Sequence, residues 1–139
     1  MRSQDSKELL APVEDVWSFL SEPYNFSDWW PGIGGVQPDR RGFANGARWT
    51  LFRGSEPGLF QRPNAPQMLV VTAIEPYKRF AFNLPRQRMD AELLLEPARH
   101  DHTRADLTIV GPFMLGWSQR SMARRVLRSL YDLLQTAEP

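Results

Sequence analysis

The strongest constraint on what this chain can fold into is its last stretch, Gly116 to about Ala137. At about 100° per residue, Met122, Ala123, Val126, Leu127, Leu130, Leu133 and Leu134 project onto one face, and Arg120, Arg124, Arg125, Arg128 and Asp132 onto the other. Gly111-Pro112 stops what precedes, and no Gly or Pro interrupts the run before Pro139. This predicts an amphipathic helix of roughly five to six turns. Its apolar stripe needs a cover, and nearly everything upstream that could supply one reads as strand.

Ser3 to Leu10 is a first strand with weak alternation. Pro12 suits a helix start, where its missing N–H is no loss, and Val13, Val16, Trp17 and Leu20 then recur at helical spacing. Pro23 to Trp30 gives a second short helix or turn, closed by Trp29-Trp30-Pro31-Gly32, with Gly34 and Gly35 continuing a flexible turn. Val36–Gly42 and Ala47–Arg53 are expected strands, joined at Asn45-Gly46, a two-residue hairpin signal. Gln67–Glu75, Arg79–Leu84, Arg88–Glu96 and Arg104–Val110 complete the set. Most of them alternate with period 2, which means antiparallel strands with one wet and one dry face. On Gln67–Glu75 both faces are apolar, so its inward parity cannot be read. Gly54–Pro66 is a long loop with several prolines, of the length functional lids have, with Leu59-Phe60 at its centre.

The whole chain, residues 1–139, is therefore one α+β domain. Its net charge of +1 offers no general attraction to nucleic acid or to a membrane surface. The absence of cysteine excludes disulfides and thiolate chemistry. No apolar run is long enough to span a membrane and no signal core opens the chain, so a cytoplasmic protein is expected. The oligomeric state stays open, a homodimer among the options.

The order of elements, with Ala11-Pro12-Val13-Glu14-Asp15-Val16-Trp17 entering the first helix and Trp29-Trp30-Pro31 leaving the second, resembles the helix-grip superfamily. That superfamily holds the START lipid-transfer domains, the birch-pollen allergen type and the bacterial polyketide cyclase/dehydrase-like (SRPBCC) proteins. Ile74-Glu75-Pro76-Tyr77-Lys78-Arg79-Phe80 and Leu95-Glu96-Pro97 are similar to the bacterial branch. The resemblance implies a seven-stranded curved antiparallel sheet wrapped around the C-terminal helix, two short helices between strands 1 and 2, and a hydrophobic cavity between sheet and helix.

Several side chains could carry chemistry. His100 and His102 flank Asp101, but the segment joins two strands and no third metal ligand is near. Asp90, Glu92 and Glu96 lie opposite Met89, Leu93 and Leu95, on the wet side, where charge pairing with Arg104 across the strands explains them. The helix arginines fit a solvated face, and no base-stacking motif accompanies them. Phe113, Met114, Leu115 and Trp117 form an apolar patch that either plugs the end of the sheet or, exposed, marks an interface or a ligand entrance.

Trp17, Trp29, Trp30, Trp49, Tyr77, Phe80 and Phe82 are a heavy aromatic load for this length; such rings either fill an ordinary core, as Trp17 does on its packed helical face, or line a cavity that the last helix fills incompletely. Trp49 and Leu51 are taken as inward, because the other parity would bury Arg48 and Thr50. Arg53 then faces in near the strand end, placed for a ligand carboxylate or carbonyl. The expected lining of the cavity is Trp30, Trp49, Leu51, Arg53, Phe80, Phe82, Met89, Leu93, Ile109, Met122, Val126 and Leu130. The function expected is binding of a small hydrophobic, aromatic or lipid-like molecule, as carrier or sensor, without metal or cofactor. The alternatives are a polyketide aromatase/cyclase or dehydratase, with Arg53, Thr72 and Tyr77 as its only plausible polar groups, and a protein-interaction module.

Overall fold

The structure, a computed structural model, describes residues 2–53, 67–112 and 119–135, the side chains of residues 119 and 120 excepted. β1 (Arg2–Leu9) is followed by α1 (Val13–Leu20), a 3₁₀ turn at Pro23–Asn25 and the short α2 (Phe26–Trp29). Then come β2 (Ile33–Gln37), β3 (Arg48–Arg53), β4 (Gln67–Glu75), β5 (Arg79–Leu84), β6 (Met89–Ala98), β7 (His102–Val110) and α3 (Gln119–Leu134). The seven strands form one sheet in the order β1-β7-β6-β5-β4-β3-β2, and every neighbouring pair is antiparallel. The layout is that of a helix grip.

Strand alternation decides what α3 covers. Trp49 and Leu51, Leu69 and Val71, Phe80 and Phe82, Leu93 and Leu95, and Leu107 and Ile109 all turn inward. They meet Ala123, Val126, Leu127, Leu130 and Leu134 of α3, each almost fully buried. Leu133, expected on this stripe, is instead 37% exposed, because Leu130 and Leu134 take the inner positions and leave it on the flank. The expected helix ends at Gly116 and Ala137 lie outside the described residues.

β1 alternates weakly in sequence because its inner face is mostly polar. Ser3 Oγ accepts from the Ala123 N–H at 3.1 Å, Asp5 lies 3.8 Å from Arg124, and the Lys7 ammonium sits 4.7 Å from the centre of the Tyr131 ring. The helix is thus seated on this edge strand by polar contacts and on the sheet centre by apolar ones.

Two strand expectations need correction. β2 runs Ile33–Gln37, not Val36–Gly42, so Gly34 and Gly35 are strand residues, with a bulge between Ile33 and Gly35. Pro38 ends it, since proline cannot donate to the ladder. Asn45-Gly46 does form a tight turn, closed by Ala47 N–H to the Ala44 carbonyl at 3.0 Å with Gly46 at φ +82°, but it sits inside the longer 38–47 connection. That connection is pinned by Asp39, whose carboxylate accepts from the N–H groups of Arg41, Gly42 and Arg48. The two apolar faces of β4 also have a cause. The register shifts between Val71 and Ala73, so Val71 opposes Phe82 and Ile74 opposes Phe80, both on the inner side. One extra residue swaps the parity midway.

Candidate functional site

In an antiparallel sheet the ends alternate, so β2, β4 and β6 begin where β3 and β5 finish. The first turns of α3 reach the same end, where Ser3 holds Ala123. Here the described residues enclose a groove of about 330 Å³. Trp30, Pro31, Gly32 and Ile33 form one wall, Arg53 and Gln67 the rim, Leu84, Gln87 and Met89 the floor, and Met122 and Arg125 of α3 the roof. The register explains the assembly: Ile33 pairs with Arg53, Leu51 with Gln67, and Leu84 with Met89.

The polar groups have distinct states. Arg53 continues the inward parity of Trp49 and Leu51 but reaches the open end, where it is exposed. It makes no hydrogen bond or ion pair with other described residues. Gln87 is carried inward by the 3₁₀ turn Pro85–Gln87, which Arg88 closes in a left-handed conformation at φ +55°. Its Nε2 donates to Gln67 Oε1 at 2.5 Å, while its own Oε1 is buried with no partner among the described residues. An unpaired buried amide end costs about 1–3 kcal/mol, and a bound molecule would gain a contact there only where the side chain shifts toward the groove, since the oxygen has almost no exposed surface. No Asp, Glu or His lines the groove among the described residues.

Of the twelve side chains proposed from sequence, Trp30, Arg53, Met89 and Met122 come together here. Trp49, Phe80 and Phe82 belong to a cluster of rings centred on Phe26. Phe26 stacks on Trp30 at 5.6 Å and meets Trp29, Trp49 and Phe82 edge-on at 5.1, 5.9 and 5.4 Å. Phe43 joins the cluster against Phe80 at 4.9 Å and Trp17 at 5.5 Å. Trp17 is thus core, as its helical face predicts. Leu51, Leu93, Ile109, Val126 and Leu130 are at most 4% exposed and packed in the main core. Sequence reasoning missed Phe26 and Phe43 as ring partners, although Phe26 stands three and four residues before Trp29 and Trp30, a helical spacing that carried the signal. It also missed Leu84, Gln67, Gln87 and Arg125 as groove residues; strand ends and a turn place the first three, and no periodicity marks such positions.

The remaining candidates lie elsewhere. His100 and Asp101 occupy the β6–β7 tip at φ +60°, and His102 Nδ1 is 2.5 Å from Glu8 Oε2 across the sheet edge. No group of three or more potential metal ligands occurs among the described residues. Glu92 faces outward and accepts from Arg79 Nε at 2.6 Å, not from Arg104, which lies opposite Glu96 and bonds Asp106. Hydrogen bonds to Glu92 and then Glu75 raise the Arg79 pKa above its ordinary value. Thr72 sits exposed at the β4 bulge, and Tyr77, half exposed at φ +66°, occupies the β4–β5 turn; neither reaches the groove. Arg124, Arg125 and Arg128 are exposed, as a solvated helix face requires. Leu59-Phe60, with its whole loop, and the Phe113–Trp117 patch lie outside the described residues. No described helix is long and apolar enough to cross a membrane.

No protein-family model matches this sequence, and no curated protein matches it. Solved structures do share the architecture. A Thermus thermophilus protein superposes with a TM-score of 0.71 at 12% identity over 100% of both chains. The XoxI protein of Bacillus cereus gives 0.70 at 10% identity, covering 99% of this chain and 98% of its own. A Nitrosospira multiformis protein gives 0.68 at 19% identity over 96% of each. At such identities the shared property is the fold, which fixes no activity.

Proposed function

We propose that this protein binds a small hydrophobic, aromatic or lipid-like molecule between the sheet and α3, as a carrier or sensor, within the SRPBCC branch of the helix-grip proteins. The observation that carries this is the groove at the open end of the sheet, about 330 Å³, where Met122 is the part-exposed apolar side chain and Trp30, Leu84 and Met89 lie nearly buried beside it. That volume lies at the lower end of the range for small-molecule pockets, and a largely apolar wall with a few polar groups is their usual make-up. Methionines suit such a surface because their unbranched, polarisable chains adjust to an occupant. A catalytic reading would need a proton-transferring group within reach, and the described lining supplies none. The cysteine-free sequence is compatible with a cytoplasmic setting.

Titration with the neutral fluorophore N-phenyl-1-naphthylamine tests the reading. It should saturate, with a change in tryptophan emission because Trp30 lines the groove. Met122→Trp, which fills the roof, should weaken it about tenfold, the effect of losing roughly 1.4 kcal/mol of contact. Unchanged affinity in that variant would remove the groove as the binding site.

A further inference from the structure

We propose, on the strength of the binding reading above, that the groove selects amphipathic carboxylates, with the acid group held at its rim by Arg53 and the Gln67–Gln87 amide pair and the apolar body laid against Met89 and Met122. Three observations converge. Arg53 is a guanidinium on the rim with no partner among the described residues. Among the described residues the lining holds no carboxylate to oppose an incoming anion. The Gln87 amide is satisfied at one end by Gln67 and, at the other, buried with no partner among the described residues.

The amide pair is reversible. Turning both side chains over preserves a Gln67–Gln87 hydrogen bond and brings Gln87 Nε2 to the unpaired position, where it donates. A carboxylate then receives the planar fork of Arg53 and an amide N–H together. Left unturned, the same position is an acceptor and would favour an alcohol. The charge of the rim decides between these, and it favours the acid.

Competition against N-phenyl-1-naphthylamine on the full chain at neutral pH distinguishes the outcomes, using decanoate, 1-decanol and decyl phosphate as probes of equal chain length. Decanoate should displace the fluorophore at about tenfold lower concentration than decanol, the factor expected of a charge-assisted contact. Arg53→Gln should bring that ratio close to one, Arg53→Lys should leave it in between, and Gln87→Leu should narrow it. Arg128→Gln, on the exposed face of α3 away from the groove, should leave it unchanged. Decanol competing as well as decanoate, or a ratio indifferent to both Arg53 variants, overturns the assignment while leaving the binding reading in place. Decyl phosphate outcompeting decanoate also overturns it, in favour of a phosphate head. Failure of the fluorophore to bind wild-type protein sinks the binding reading itself, and this assignment with it.

Discussion

The interior beneath α2 and the mouth of the sheet at the start of α3 share strands β3 to β6 but solve packing in opposite ways. Beneath α2 the space is filled by rigid rings, with Phe26, Trp29, Trp49, Phe80 and Phe82 each about 1% exposed or less. At the mouth the long or polar side chains of Arg53, Gln67, Gln87, Met122 and Arg125 stand beside apolar ones, and a groove remains between them. Trp30 belongs to both, stacked on Phe26 on one side and lining the groove on the other. Large rings bury much area and interlock edge to face, so they make walls rather than openings. Room for a ligand arises where the chain puts methionine, glutamine and arginine at strand ends.

If the core is as tightly interlocked as its burial implies, core changes should register as stability and mouth changes as binding. Leu130→Asp tests the extreme case. It removes a fully buried side chain of α3 and introduces a charge, so denaturant melts should show a loss of about 5 kcal/mol or more. Phe82→Ala should cost about 3–5 kcal/mol by removing a ring that touches Phe26, Trp30 and Phe80. A much smaller loss would mean that the ring cluster is loosely packed and that the comparison is drawn in the wrong place.

Trp49→Phe sharpens it further. The indole Nε1 donates to the Gly42 carbonyl at 2.7 Å, tying the 38–47 connection to the rings. Its loss should cost about 1–3 kcal/mol, with the ring body largely replaced. Met122→Ala, at the partly exposed roof, should cost only about 1 kcal/mol while altering the affinity of hydrophobic probes more than any core change. An effect of the reverse order, on melting and not on probe affinity, would make Met122 core and dissolve the distinction.

The smallest effect concerns acid. The Arg48 N–H above all, then those of Arg41 and Gly42, hold the Asp39 carboxyl below its ordinary value of 3.8. A carboxyl depressed in the folded state contributes stability that is present above the unfolded value and is lost as pH falls through the folded one. Asp39→Asn should therefore be slightly less stable than wild type at neutral pH and converge on it in the acid, below about pH 4. Stability curves for the two proteins that stay parallel through and below that range would show that the latch is not the carboxylate.

Two kinds of information separate in this molecule. The α3 stripe, the alternation of β5, β6 and β7, and the short helix carrying Trp17 were legible in the sequence, because period 3.6 and period 2 are local properties that burial enforces residue by residue. With those in hand, seven antiparallel strands closing on one helix followed. The parity of β4 was not legible, since the bulge at Thr72-Ala73 exists only against its partner strand. Nor was the true start of β2, where glycines that read as a turn are held extended by pairing with β3. The groove was half legible: Arg53 and Met89 fall on inward parity, but Gln67 and Gln87 meet only because β4 begins where β5 turns into β6. Which inward rings become core and which face open space was settled by the tertiary structure alone, because that depends on how several elements share one volume, and no single segment encodes it.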